Sequence, residues 1–182
     1  MLFRSSDTKE IGNYGPYKQS NRSLIYNTVI KHLISIGRAY PCFCTPEELN
    51  ELRKEQEANK EIPGYYGKYA KYRDFPVDEA IKKIENGDPY IIRFKSMGDH
   101  NNKIFFHDEI KGDLELTEND QDIVILKSDG LPTYHFAHLC DDHFMRTTHI
   151  TRGEEWLSSL PIHLELFRSE EHTSELQSPM YL

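Results

Sequence analysis

Two short segments concentrate the side chains that could do chemistry, TYHFAHLCDDH at 133–143 and TRGEEWLSS at 151–159. Arg152 and Tyr134, arriving from neighbouring strand ends, could bind a small carboxylate, because guanidinium gives bidentate geometry and a phenol adds a directed hydrogen bond. Glu154 and Glu155 could hold an ammonium group. Together these are the requirements of an α-amino acid, and of an acidic one if a second arginine is supplied from elsewhere. The same Arg-Gly-Glu-Glu run also suits a surface turn that opens a helix. His135, His138, His143 and His149, with Asp141 and Asp142, raise a metal site as a further reading. Such a site needs three or four convergent ligands at fixed spacing. No HExxH or comparable signature occurs, so these histidines are read as structural or pocket-lining and no metal is expected.

Several elements must position these groups. Apolar residues at 25, 29, 33 and 36 predict a helix over Leu24 to Ile36, stopped by Gly37. TPEE at 45–48 is a helix start, with Thr45 as cap, Pro46 in the first turn and Glu48 closing a capping box; that helix should run to about Ala58. A third helix is expected over Val77 to Asn86, ended by Gly87. Strands are expected at 90–95, 104–110, 113–116 and 122–127, separated by Gly, Asn and Asp. SDG at 128–130 reads as a hairpin turn after which LPTYHF begins as a strand, followed by a helix from Ala137 to Phe144. A strand near His149 to Thr151 and one or two closing helices, broken near Pro161, complete the order. Helices, then strands, then alternation predict an α+β module leading into part of an α/β sheet.

The composition limits the function classes. The chain of 182 residues, 37% apolar, is long enough for one or two small domains with modest cores. Its net charge of −8 argues against broad electrostatic nucleic-acid binding, though a local RNA contact is compatible with it. Lysines and tyrosines alternate in KEIPGYYGKYAKYR (60–73), which reads as a tyrosine-packed connector in preference to an RNA surface. Cys42, Cys44 and Cys140 form no disulfide framework, no apolar run suits a membrane, and a cytoplasmic location is expected. Residues 1–7 read as a doubtful leader. Residues 169–182 break the apolar spacing and read as a foreign or disordered tail; without Glu170, Glu171 and Glu175 the chain remains acidic.

Five blocks then follow in one order: GPYKQSNR (15–22), GRAYPCFCTPEEL (37–49), DIVILKSDGLPTYHFA (122–137), DDHFM (141–145) and ITRGEEWLSSLPIH (150–163). In this order they resemble the glutamyl-tRNA synthetases, a class I aminoacyl-tRNA synthetase family, from roughly Thr8 to Phe167. The resemblance implies an α/β fold: a partial Rossmann-type catalytic domain with an inserted α+β acceptor-binding module. It implies the end of a first Rossmann half at 8–40, the insertion at 41–127 and the start of the second half at 128–168. Tyr134, His138, Arg152 and Glu155 would line the glutamate pocket, Trp156 would lie against ATP, and Lys127 and Ser128 would stand near the acceptor end of tRNA. The implied partners are glutamate, tRNA and ATP with magnesium, and the implied parent is a monomer that forms glutamyl-adenylate and passes the acyl group to tRNA. Selectivity for glutamate over glutamine would come from a buried arginine meeting a carboxylate.

The sequence departs from that family in three respects. No HIGH-type motif precedes GPYKQ, and no KMSKS-type loop follows LELF. These residues alone are therefore not expected to activate glutamate. Some relatives hold zinc in the insertion through a Cys-x-Cys and a later ligand pair; Cys42 and Cys44 keep the first, but Tyr69 and Lys71 stand at the second, so zinc is not expected. Two other readings stay open here. One is a stand-alone tRNA acceptor-binding module, and the other a glutamyltransferase acting on a modified tRNA base.

Overall fold

A computed structural model describes residues 12–170 and 180–181. Helix α1 (Ser23–Ser35) buries Tyr26, Val29, Ile30 and Leu33, and Gly37, at φ 73°, turns the chain out of it. Strand β1 (Ala39–Cys42) leads into α2 (Pro46–Ala58). The expected capping box is present: Thr45 Oγ1 accepts from Glu48 N at 3.2 Å, and Glu48 returns its carboxylate to Thr45 N at 2.9 Å. These contacts satisfy two of the backbone donors that a helix start leaves without partners. Helix α3 (Val77–Glu85) ends before Gly87, at φ 82°.

Strands β2 (Ile91–Phe94), β3 (Lys103–Asp108), β4 (Gly112–Thr117) and β5 (Val124–Leu126) fall within the predicted runs or one residue outside them. They form two antiparallel sheets. One has the order β1-β2-β5, with a register shift between Ile92 and Arg93, and β3 pairs with β4 as a hairpin. Then come α4 (Tyr134–Phe144), the short β6 (His149–Ile150), a 3-10 turn at Glu154–Ser159 and α5 (Leu160–Glu170). Strand β7 (Met180–Tyr181) lies parallel to β6. The expected leader at 1–7 lies outside the described residues. So does most of the expected tail; of it, residues 169 and 170 finish α5 and 180–181 form β7.

One expectation is corrected. LPTYHF does not form a strand: only Pro132 bridges to Leu126, and α4 begins at Tyr134, three residues before the predicted start. The Thr133 hydroxyl donates to Val124 O at 2.7 Å, which ends the extended stretch against β5 and turns the chain into the helix. The closing helices divide near Pro161 as expected: the 3-10 turn ends at Ser159 and α5 begins at Leu160, which leaves Pro161 in the first turn, where its missing N–H leaves no intrahelical bond unmade.

One apolar core unites Tyr26 and Leu33 of α1, Phe94 and Ile125 of the sheet, Phe136 and Leu139 of α4, and Leu164 and Leu166 of α5. A second cluster gathers Tyr40, Phe43, Tyr65 and Tyr72. The tyrosine-rich connector is thus packed as expected, and two of its three lysines are engaged: Lys68 pairs with Glu61 and Lys71 with Glu48.

Buried polar groups lock the elements together. Asp122, buried, accepts from the Tyr40 hydroxyl at 2.6 Å, from Ser96 N at 2.9 Å and from Arg73. Glu165 of α5 accepts from Arg38, Ser96 Oγ, Met97 N and Asn119 at 2.7–2.9 Å, tying α5 to the ends of β1 and β2.

Candidate active site

Helix α4 presents Tyr134 and His138 one turn apart, because residues four apart share a helix face. Tyr134 opens the helix and is 45% exposed, whereas His138 is buried. Their rings stack at 5.9 Å with planes 15° apart, Trp156 lies tilted against Tyr134 at 4.9 Å, and His163 of α5 meets His138 edge-on at 4.8 Å. The result is a wall of four rings. Arg152, on the segment after β6, lays its guanidinium against it, 5.7 Å from the Tyr134 ring and 5.8 Å from that of Trp156. Its Nη2 lies 3.1 Å from His138 Nδ1.

Two of these rings, Trp156 and His163, border with Arg152 a cavity of about 270 Å³, lined also by Lys111, Leu157 and Leu160; Tyr134 and His138 stand outside its lining. The tip of the β3–β4 hairpin reaches this edge. Asp108 Oδ1 accepts from Ile110 N and Lys111 N, fixing the tip, and Lys111 pairs with Glu154 at 2.5 Å. A cationic group beside stacked rings and an apolar floor can hold a small anion with an aliphatic stem.

The histidines behind the wall are kept neutral. Burial, then repulsion from His138, His135 and Arg152, pushes His163 down to about 3. His135 is lowered by burial and by His138, and its Nδ1 lies 2.9 Å from His163 Nε2. With His163 uncharged, Arg152 has no second permanent cation at its back.

The consecutive acids of α4 face different ways. Asp141 accepts from Arg22 Nε at 2.7 Å and from the Tyr26 hydroxyl at 2.9 Å, joining α4 to α1. Asp142 meets His138 instead, with 2.5 Å between Oδ2 and Nδ1.

Of the residues singled out from sequence, Tyr134, His138, Arg152 and Trp156 come together. Tyr134 comes from a helix start and not from a strand end. Arg152 is exposed at the cavity mouth, not buried as the selectivity argument required, because rings cover one side of its guanidinium and nothing among the described residues covers the other. Glu155 is exposed and folds its carboxylate over Gly153, where an added Cβ would meet it at 2.4 Å. Lys127 and Ser128 stand on the predicted turn, exposed, closed by Gly130 N donating to Lys127 O; Lys127 pairs with Asp129. They share no hydrogen bond, ion pair or ring contact with the four-ring wall among the described residues.

Cys42 and Cys44 each lie 3.5 Å from the Tyr65 hydroxyl, while Tyr69 bonds Glu61 and Lys71 bonds Glu48. No three His, Cys, Asp or Glu side chains converge in a metal-ligand geometry among the described residues. No described helix is long and apolar enough to cross a membrane.

Sequence reasoning missed His163 and Lys111. His163 lay in a quoted block, and its position three residues into α5 marks it as inward-facing once that helix start is known. Lys111 carried no local signal, since its partner is 43 residues away.

Comparison with known proteins places the chain in a family. The family model described as tRNA synthetases class I (E and Q), catalytic domain, matches residues 5–175. The chain is 63% identical over 156 residues to the glutamate–tRNA ligase of Clostridium beijerinckii, covering 86% of this chain and 28% of that protein. With the ligase of Acetivibrio thermocellus it shares 58% over 158 residues, covering 87% and 29%. It superimposes on a glutamate tRNA ligase from Elizabethkingia meningosepticum, solved in complex with its amino acid, with a TM-score of 0.81 at 37% identity, covering 93% of this chain and 34% of that one. The chain thus spans a little under a third of the curated relatives named here. On the family match and this likeness in sequence and fold, the chain belongs to the class I tRNA synthetases of the E and Q group, within their catalytic domain.

Proposed function

We propose that this chain is the part of a cytoplasmic glutamate–tRNA ligase that carries one wall of the glutamate and ATP pocket together with the module that meets the tRNA acceptor end. The observation that carries this reading is Arg152 held against the Tyr134, His138 and Trp156 rings at the mouth of a small cavity. Arg152 and the Tyr134 hydroxyl receive the side-chain carboxylate of glutamate. A guanidinium left facing an amide loses its charge partner, which disfavours glutamine. The arginine is exposed in this chain, so that selectivity depends on further residues closing over it. Trp156 forms the floor shared with ATP, and Glu155, free of any ion pair among the described residues, is available to the ammonium group.

In the whole ligase the glutamate α-carboxylate attacks the α-phosphate of ATP and pyrophosphate leaves; the terminal ribose hydroxyl of tRNA then displaces AMP. The described residues contribute positioning and charge pairing to both steps. Residues 41–127 form the acceptor-binding insertion, with Lys127 and Ser128 at its exposed exit turn toward the tRNA end. Magnesium enters with ATP as part of the substrate. The parent acts as a monomer.

The test is a chimera in which residues 8–168 replace the matching segment of the Clostridium beijerinckii ligase. It should charge tRNA with glutamate, and Arg152→Ala should lower kcat/KM for glutamate by about 100-fold, the worth of one charge-assisted bidentate contact of about 3 kcal/mol. A folded chimera that does not charge, or an Arg152→Ala variant with unchanged glutamate kinetics, would overturn the reading.

A further inference from the structure

We infer that Cys42 and Cys44 form a dithiol that a peroxide oxidises to a disulfide, with Cys44 as the sulfur that meets the oxidant and Cys42 as the sulfur that closes the bond. Cys42 ends β1, and Cys44 follows two residues later. Residues two apart on an extended chain share a face, with Cα atoms about 6.6 Å apart, within the span that a disulfide bridges. The two sulfurs converge on one atom: each lies 3.5 Å from the Tyr65 hydroxyl oxygen. Tyr72 N donates to that oxygen at 3.1 Å and holds it in place.

The surroundings favour a negative charge on this pair. In the β1–β2 register Tyr40 faces Arg93 and Cys42 faces Ile91, so Arg93 lies diagonally across from Cys42 on one face of the sheet. Arg93 is buried, its guanidinium lies 4.0 Å from the centre of the Tyr65 ring, and its Nε has no hydrogen-bond partner among the described residues. Interaction with the Cys44 thiol, then with Tyr65 and Arg93, holds Cys42 below the ordinary thiol range against the opposing effect of burial. The same interaction with Cys42 pushes Cys44 up. The pair therefore gives up one proton readily and holds the second.

The two sulfurs differ in access, since Cys42 is buried and Cys44 half-buried. When the remaining proton sits on Cys42, the Cys44 thiolate attacks one oxygen of hydrogen peroxide; an S–O bond forms, the O–O bond breaks and hydroxide leaves. The Cys42 sulfur then attacks the Cys44 sulfenic acid. An S–S bond forms, the S–O bond breaks, and the Cys42 proton leaves with the hydroxyl as water. Both sulfurs are oxidised, and one peroxide is reduced to water and hydroxide. In a reducing compartment such a link is transient and reports on oxidant.

The experiment treats the full chain, first reduced, with hydrogen peroxide at neutral pH in the presence of EDTA, then alkylates it after unfolding and digests it with trypsin. The peptide Ala39–Arg53 carries both cysteines. It should lose two hydrogens and take up no alkylating agent, and dithiothreitol should restore it. Cys140, buried in the first core, serves as the internal control and should oxidise at least about tenfold more slowly. In Cys42→Ser no second sulfur closes the bond, and dimedone should trap a sulfenic acid on Cys44. A peptide that is still fully alkylated when Cys140 has been oxidised would overturn the proposal. Conversion to sulfinic acid with no linked form, or a link between two chains in place of one within the peptide, would do the same. A folded Cys42→Ser protein that gives no dimedone adduct would overturn the assignment of Cys44. The wild-type digest decides the proposal even if Cys42→Ser fails to fold.

Discussion

Glu165 offers the sharpest test of how α5, which carries His163 into the site wall, is held to the sheet. Its carboxylate faces four donors, Arg38 and Met97 N on one oxygen and Asn119 and Ser96 on the other, with the single Ser96 hydroxyl proton shared with Asn119 O. A hydrogen bond to a charged acceptor contributes about 1.5–3 kcal/mol in isolation, so a naive sum would exceed about 6 kcal/mol. That sum is too large here. Arg38 is partly exposed and Met97 exposed, so both donors regain water when the acceptor is removed. Ser96 and Asn119 are buried, but Ser96 Oγ keeps Asn119 O as a partner and Asn119 Nδ2 keeps Gln121 O. Two weakened buried donors and a lost ion pair give an expected cost for Glu165→Ala of about 3 kcal/mol. For a chain of this size that is a fall in Tm of about 6–12 °C. Glu165→Gln keeps the shape and one acceptor and should lose roughly half as much. The assay is urea unfolding followed by circular dichroism, with Asp88→Asn on the exposed Lys83 pair as a control expected to change by under about 1 kcal/mol. A Glu165→Ala loss no greater than that of the control, at an unchanged denaturant slope, would refute the reasoning.

Three further outcomes are expected. Asp122→Asn strips the charge from a buried carboxylate that serves Tyr40, Ser96 and Arg73, and should cost about 3–5 kcal/mol in the same unfolding assay. Thr45→Ala removes one arm of the capping box on α2 and should cost about 1 kcal/mol, read as a small shift of the urea midpoint. His163 stays neutral in the fold down to about pH 3, whereas the unfolded chain takes up its proton below about pH 6.5. Stability should therefore fall as pH drops between those values, by up to about 1.4 kcal/mol per pH unit from this group. His163→Gln should flatten that acid limb, and an unaltered limb in Tm measured against pH would count against the neutral assignment.

Much of this fold could be read locally. Thr45, Pro46 and Glu48 announce the start of α2 because the cap chemistry lies within four residues, and Gly37 and Gly87 mark helix ends by the positive φ they adopt. LPTYHF misled because its apolar and aromatic alternation suits a strand. What decides its state is the Thr133 bond to Val124, a contact made only once β5 is in place. At the site, Tyr134, His138 and Arg152 were legible only through the family resemblance, and Tyr134 was expected on a strand. The clasp of Lys111 on Glu154 and the exposure of Arg152 depend on where a distant hairpin tip comes to rest, and local pattern carries no record of that.

The outer strands of the three-stranded sheet bear on how copies of this chain meet one another. An unpaired strand edge offers a row of donors and acceptors on which a second molecule can add its own strand. Here β1 carries Pro41, which has no N–H to give, and β5 is only three residues long, with Pro132 bridged beside Leu126. Each side of the sheet is thus blunted at the backbone by a proline. Self-templated growth by strand addition is disfavoured at both, and any association through this sheet would have to run through side-chain faces, where substitution of surface residues can tune it.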